Sequence, residues 1–276
     1  MRSYVIPGLL LLGILIFSGC TNNTPGSGLV ITKWQSDFPI VKSNQPVILY
    51  LDLENKGPAV AKNVDVKISG ISSAQSLACS FPSIVSGKKV PCIFGLNNDL
   101  KAPDVSAGFR EDYKLKAVAT YSYSTSTTKS FTVVTLDQLR QIKQNGGSIP
   151  IPSESPSEGP VIGSVKIEND NDEIYIFDKN LEFPISLEIS NVGGGSACYK
   201  NCEADNFHIV EYRIEPIGKI NVECSQQKGK VYILKPNKVK CKIKVNTEDI
   251  SRVALKVDLN YVYQIEAETT LTVDNK

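Results

Sequence analysis

The residues best equipped for chemistry in this sequence are its cysteines, its histidine and one short acidic run. Of seven cysteines, four recur in matched surroundings: Cys79-Ser80 is answered by Cys224-Ser225, and Lys89-Val90-Pro91-Cys92 by Lys238-Val239-Lys240-Cys241. The repeat predicts two structural disulfides, Cys79–Cys92 and Cys224–Cys241. Closing a loop of that size stabilises a fold by roughly 3 kcal/mol through restriction of the unfolded chain. Cys198 and Cys202 fall where the second copy has a longer loop than the first, with His208 close behind. Two chemistries fit them: a thiolate–imidazole metal site, or a small Cys198–Cys202 disulfide ring that stiffens the loop. The ring is the expectation, because an exported protein offers oxidised cysteines and no fourth ligand is evident. Glu168-Asn169-Asp170-Asn171-Asp172-Glu173 is rich in hard oxygen ligands, with Asp170, Asp172 and Glu173 as calcium candidates. It is not an EF-hand: counted from Asp170, the glycine position is Tyr175 and the closing acidic position is Leu181, so a solvated turn is favoured. His208 is the sole histidine, and there is no Gly-x-Ser-x-Gly elbow and no phosphate loop. The common nucleophile–base arrangements cannot be assembled from this set, so a protein with neither catalytic activity nor cofactor is expected.

Such residues need a scaffold, and the apolar pattern predicts its kind. Val47, Leu49, Leu51 and Leu53 alternate with polar or outward residues, as do Leu181, Phe183, Ile185, Leu187 and Ile189. A period of two marks half-buried strands. Pro184 suggests an edge or a bulge in the second of them. Each strand is followed by the same turn, Asn55-Lys56-Gly57 with Ala61 and Asn191-Val192-Gly193 with Ala197. Asn and Gly tolerate the positive φ of a sharp turn, and the next strands are expected at Val64–Ile68 and Ile209–Ile214. Leu115–Val133 lies on Leu255–Val273 without a gap, matching at Leu115, Lys116, Tyr121, Tyr123, Thr132 and Val133. A final hairpin is expected to close each copy, with the Tyr/Ser/Thr run Tyr121–Ser130 as an exposed tip that protects a sheet edge or, alternatively, carries or binds sugar.

These signals predict an all-β protein of two tandem immunoglobulin-like antiparallel β-sandwiches, with about seven short strands per copy. The sandwiches are placed at 29–135 and 161–276, the second with the disulfide-bearing insertion. Between them, 136–160 holds a short helix and a Pro/Ser/Gly linker. The helix is expected over Leu136–Gln144, with Thr135 and Gln138 as a capping box and Gly146 as its stop. Four prolines and four serines in 146–160 suit an extended spacer.

The first residues read as an export signal: Arg2, an apolar run from Val5 to Phe17, then small residues before Cys20. Phe17-Ser18-Gly19-Cys20 resembles the lipobox of prokaryotic lipoproteins, with Phe17 where an aliphatic residue is usual. That resemblance implies a signal peptide at 1–19, lipid on Cys20 and a flexible tether at 20–28; simple cleavage of the signal is the alternative. Removing Cys20 from seven cysteines leaves six that can pair. Asn22-Asn23-Thr24 fits the glycosylation sequon, which makes Asn22 a candidate site. Thirty Lys and Arg stand against 29 Asp and Glu, which leaves no basic footprint for nucleic acid.

Leu51-Asp52-Leu53-Glu54-Asn55-Lys56-Gly57 with Ala61, and Glu188-Ile189-Ser190-Asn191-Val192-Gly193 with Ala197, resemble the CARDB-type domains of bacterial and archaeal surface proteins. The resemblance implies immunoglobulin-like modules in S-layer-associated or adhesion proteins and brings no catalytic residues; the paired cysteines depart from the usual members. The expected function is that of a non-catalytic cell-envelope lipoprotein. It would be held to the membrane by its N-terminal lipid and act as a spacer and protein-interaction module with an envelope partner or with itself. The alternative is a carbohydrate- or calcium-dependent binding or adhesion protein.

Overall fold

A computed structural model describes residues 28–71, 77–97, 100–149, 153–155, 158–167, 175–176, 182–234, 237–245 and 251–276. Cys20, Asn22, Asp170, Asp172 and Glu173 lie outside the described residues. The protein is all-β apart from α1 (Leu136–Gln144) and a single 3-10 turn among those residues. Strands β1 (Leu29–Ser36), β3 (Leu49–Asn55) and β6 (Lys89–Phe94) form a three-stranded antiparallel sheet with β3 in the middle. Strands β9 (Val161–Ile167), β11 (Glu182–Asn191), β14 (Ile220–Cys224) and β16 (Asn237–Val245) form a four-stranded sheet in the order β14-β16-β11-β9. The third sheet has ten strands. Its main path uses β4 (Ala61–Ser69), β5 (Ala78–Ile84), β7 (Arg110–Val134), β13 (Ile209–Ile217), β15 (Lys228–Tyr232) and β17 (Ser251–Asp274), in the order β15-β13-β17-β7-β4-β5. The short strands β2 (Ile40–Lys42), β8 (Glu154–Ser155), β10 (Tyr175–Ile176) and β12 (Ser196–Cys198) pair along β7 and β17.

The period of two holds where it was read. On β3, Leu49, Leu51, Leu53 and Asn55 are buried and alternate with half-buried residues. On β11, Pro184 pairs with Lys242 of β16, while β9 joins only from Ile185, so the proline sits where the strand has one neighbour. The helix occupies the expected residues. The Gln138 N–H donates to Thr135 Oγ1 at 3.3 Å and the Thr135 N–H to Gln138 Oε1 at 3.0 Å, which satisfies two groups at the helix start.

The two closing hairpins do not form. β7 and β17 are instead single strands of 25 and 24 residues, paired antiparallel in one register from Arg110–Asp274 to Val133–Ser251. The reason lies in the Tyr/Ser/Thr run, which contains no glycine, asparagine or proline to turn the chain and continues the inward face instead. Tyr121, Tyr123, Thr125 and Thr127 are buried in succession. Burying the threonines is tolerable because Thr125 Oγ1 donates to Val161 O and Thr127 Oγ1 to Gly163 O, both at 2.8 Å.

Each copy is therefore completed by the end of a strand that begins in the other. Phe131 and Val133 of β7 line a small apolar gap with Ile167, Phe183, Ile185 and Ile243 of the second copy. Reciprocally, Leu271 and Val273 of β17 are fully buried next to β2 of the first. Glu154 and Ser155 of the Pro/Ser spacer form β8 along β7, where Lys129 pairs with Glu154 and Thr128 with Ser155. At about 3.3 Å per residue the shared ribbon runs for roughly 80 Å.

Candidate binding cleft

The repeat and the register meet at one residue pair. Ser122 and Val262 are equivalent when Leu115–Val133 is laid on Leu255–Val273, and they also face each other across β7 and β17. A local two-fold perpendicular to the sheet therefore passes through this pair. On its inner side stand Tyr121 and Tyr123 opposite Tyr263 and Tyr261, with ring centroids 5.7–6.2 Å apart. Equivalent hydroxyls accept from equivalent main-chain groups. The Leu29 N–H donates to Tyr121 Oη at 3.0 Å and the Val161 N–H to Tyr261 Oη at 3.4 Å, which ties down the first strand of each copy. The Ala59 N–H donates to Tyr123 Oη at 3.1 Å and the Gly195 N–H to Tyr263 Oη at 3.0 Å, in each case just after the Asn-x-Gly turn.

Burial is the main cause that pushes the phenols of Tyr121, Tyr123, Tyr261 and Tyr263 above their ordinary value of 10.0. A raised phenol favours the folded state while it is neutral. The contribution is complete below about pH 10 and is lost as pH climbs toward the folded-state values. In an ultraviolet titration these four of the eleven tyrosines are expected to ionise only as near-ultraviolet dichroism collapses. Ionisation of all eleven near pH 10 with the fold intact would contradict the burial.

On the outer side of the same axis lies a cleft of about 350 Å³. Its floor is Ser122, Ser124, Asn260 and Val262 of the two long strands. One wall is Val60 and Lys62, at the start of β4; the other is Tyr199 and Lys200, with Glu211 of β13. The walls differ because of the insertion. In the first copy β4 runs on from Lys62 through an irregularity in its pairing with β7. In the second, the equivalent strand is split into β12 and β13, and residues 199–208 loop out between them.

The loop is closed on itself. A disulfide joins Cys198 to Cys202. The Tyr199 N–H donates to Asn206 O at 2.9 Å, and the His208 N–H to Ala197 O at 2.7 Å. Lys230 Nζ stands 3.6 Å from the centroid of the Tyr199 ring and fixes that side chain. His208 has φ +61° and its ring lies 6.1 Å from both Phe207 and Tyr232. The structure thus gives Cys198 and Cys202 to a ring, not to thiolate ligands, and no group of three His, Cys, Asp or Glu suited to a metal occurs among the described residues.

The other two disulfides differ in role. Cys79–Cys92 ties β5 of the ten-stranded sheet to β6 of the three-stranded sheet, so it crosses between layers. Cys224–Cys241 joins directly opposed residues of β14 and β16 within one sheet. The sequence singled out these cysteines and the insertion, but not Lys62, Glu211 or Asn260. Nothing in their local pattern marks them, because only the antiparallel register brings them together.

The described residues define a disulfide-bonded all-β protein. Its three disulfides mark an oxidising, extracytoplasmic environment. No helix among the described residues is long and apolar enough to cross a membrane. No family model and no curated protein matches the sequence. Among solved structures, the secreted serine protease VesC from Vibrio cholerae aligns with 90% of this chain and 51% of its own, at 12% identity and a TM-score of 0.22. The chain thus spans about half the length of that structure, and likeness at this level carries no argument about fold or chemistry.

Proposed function

We propose that this protein is a non-catalytic cell-envelope lipoprotein, anchored through Cys20, whose two immunoglobulin-like copies serve as a stiff spacer and interaction module in a surface assembly. The observation that supports a spacer most strongly is the shared ribbon. β7 and β17 pair throughout, so the two copies bend together and do not swing on the Pro/Ser linker. Stiffness of this kind holds an interaction surface at a set height above a membrane and lowers the entropy lost on contact. The absence of catalysis is supported by the chemistry of the reactive side chains: six cysteines are oxidised, and the one histidine is packed beside Phe207 and Tyr232.

The test is cross-linking of native envelopes, followed by intact mass of the extracted chain. An acylated chain beginning at Cys20 and cross-linked to an envelope protein or to a second copy is the expected result. An unmodified N-terminus, with the chain recovered as a lone monomer, would overturn the reading.

A further inference from the structure

We propose that the cleft over the local two-fold is a binding site for an acidic sugar unit of a glycan, one site per chain. The inference goes beyond the spacer reading and does not depend on the lipid anchor. It rests first on asymmetry at a symmetric place. The fold is duplicated, yet the cleft exists only because the second copy carries the loop 199–208 at the point where the first copy carries Lys62. That loop has a disulfide, two main-chain closures and a cation against its aromatic ring, so the wall is fixed before any ligand arrives.

The chemistry of the lining selects the ligand class. Ser122, Ser124 and Asn260 present hydroxyl and amide groups that both donate and accept, as the hydroxyls of a sugar require. Tyr199 adds an aromatic ring that already carries the Lys230 ammonium 3.6 Å from its centroid, so what it offers a ligand is its edge and any uncovered face; the volume of about 350 Å³ lies in the range of small-ligand sites, about 300–1,000 Å³. Charge then separates acidic from neutral sugars. Lys62 and Lys200 stand on opposite walls, and neither has a carboxylate partner among the described residues. Glu211, the carboxylate of the cleft, already has the Lys228 ammonium 3.6 Å away. The walls therefore carry surplus positive charge beside a polar floor, with Lys200 Nζ 5.3 Å from the centroid of the Tyr199 ring, an arrangement that fits one carboxylate in a hydroxyl-rich ring better than an apolar peptide or a neutral hexose.

The experiment uses the disulfide-intact mature chain and two probes, a hexuronate tetramer and the neutral hexose tetramer of the same linkage, followed by titration calorimetry. The uronate is expected to bind saturably and at least about tenfold more tightly than the neutral tetramer, with the advantage shrinking as salt is raised. The double substitution Lys62→Gln and Lys200→Gln is expected to remove that advantage. Both lysines are exposed, so the melting temperature should not move. As a second probe of the site, Tyr199→Ala should weaken both sugars. No saturable uptake of uronate at millimolar concentration, or equal binding by the double variant, would overturn the proposal.

Discussion

Leu259→Ala, a change in the second copy, is expected to shift the unfolding of Trp34 in the first. Leu259 is 1% exposed on β17, paired with Thr125 of β7 on one side and Tyr212 of β13 on the other, and its side chain packs over Gly163 of β9. Removing three carbons at such a site costs about 3 kcal/mol in lost burial and residual cavity. For a molecule of this size that lowers the melting temperature by roughly 6–12 °C. Trp34 is the single tryptophan, and its indole N–H donates to Leu115 O of β7 at 3.1 Å, so its fluorescence reports on the first copy. If the copies share strands, the Trp34 midpoint in urea falls together with the dichroism of the whole chain. A Trp34 midpoint that stays at the wild-type value would show two copies unfolding independently.

Asn55→Ala is expected to be about as damaging, through polar groups and not through a cavity. Asn55 is 0% exposed, and its side chain makes three hydrogen bonds: Nδ2 donates to Ala59 O at 2.8 Å and to Ile84 O at 2.9 Å, and Oδ1 accepts from the Gly57 N–H at 3.1 Å. Alanine would leave those main-chain groups without their partner in a dry turn, where each unsatisfied group costs roughly 1–3 kcal/mol. The total should be about 3 kcal/mol once the turn relaxes. Asn191 makes the equivalent turn contacts to Gly195 O and the Gly193 N–H and also accepts from the Tyr263 hydroxyl at 2.8 Å, but it is partly exposed, so water can replace part of what is lost. Denaturation curves should therefore rank Asn55→Ala as more destabilising than Asn191→Ala. The reverse order would mean that the buried turn is not a main stabilising feature of the first copy.

Much of this fold was legible because its signals are local. Asn-x-Gly after an alternating strand states a turn in both copies, and Thr135 with Gln138 states a helix start; each needs only a few neighbouring residues to act. The course of β7 and β17 was not legible for the opposite reason. A strand of Tyr, Ser and Thr reads as an exposed hairpin when the acceptors that bury its threonines, Val161 O and Gly163 O, lie 36 residues away. Nothing in the run itself states that length, although the absence of any turn residue within it is a clue in retrospect. The candidate cleft was half legible. The disulfide-bearing insertion stood out as an irregularity in the repeat, but its companions Lys62 and Asn260 are ordinary surface residues until the register sets them beside it.

β7 and β17 are continuous strands shared by both copies, and amide exchange of the native chain reads that continuity segment by segment. Hydrogen exchange followed by mass spectrometry would be read on peptides that cover Tyr121–Ser130 and the opposing Ala254–Tyr263. The shared ribbon predicts slow exchange through both segments, comparable to the strand ends on either side, because the main-chain groups there are paired across the ribbon. Fast exchange confined to Tyr121–Ser130, with protection resuming beyond it, would describe an exposed hairpin tip and rule out a continuous shared strand.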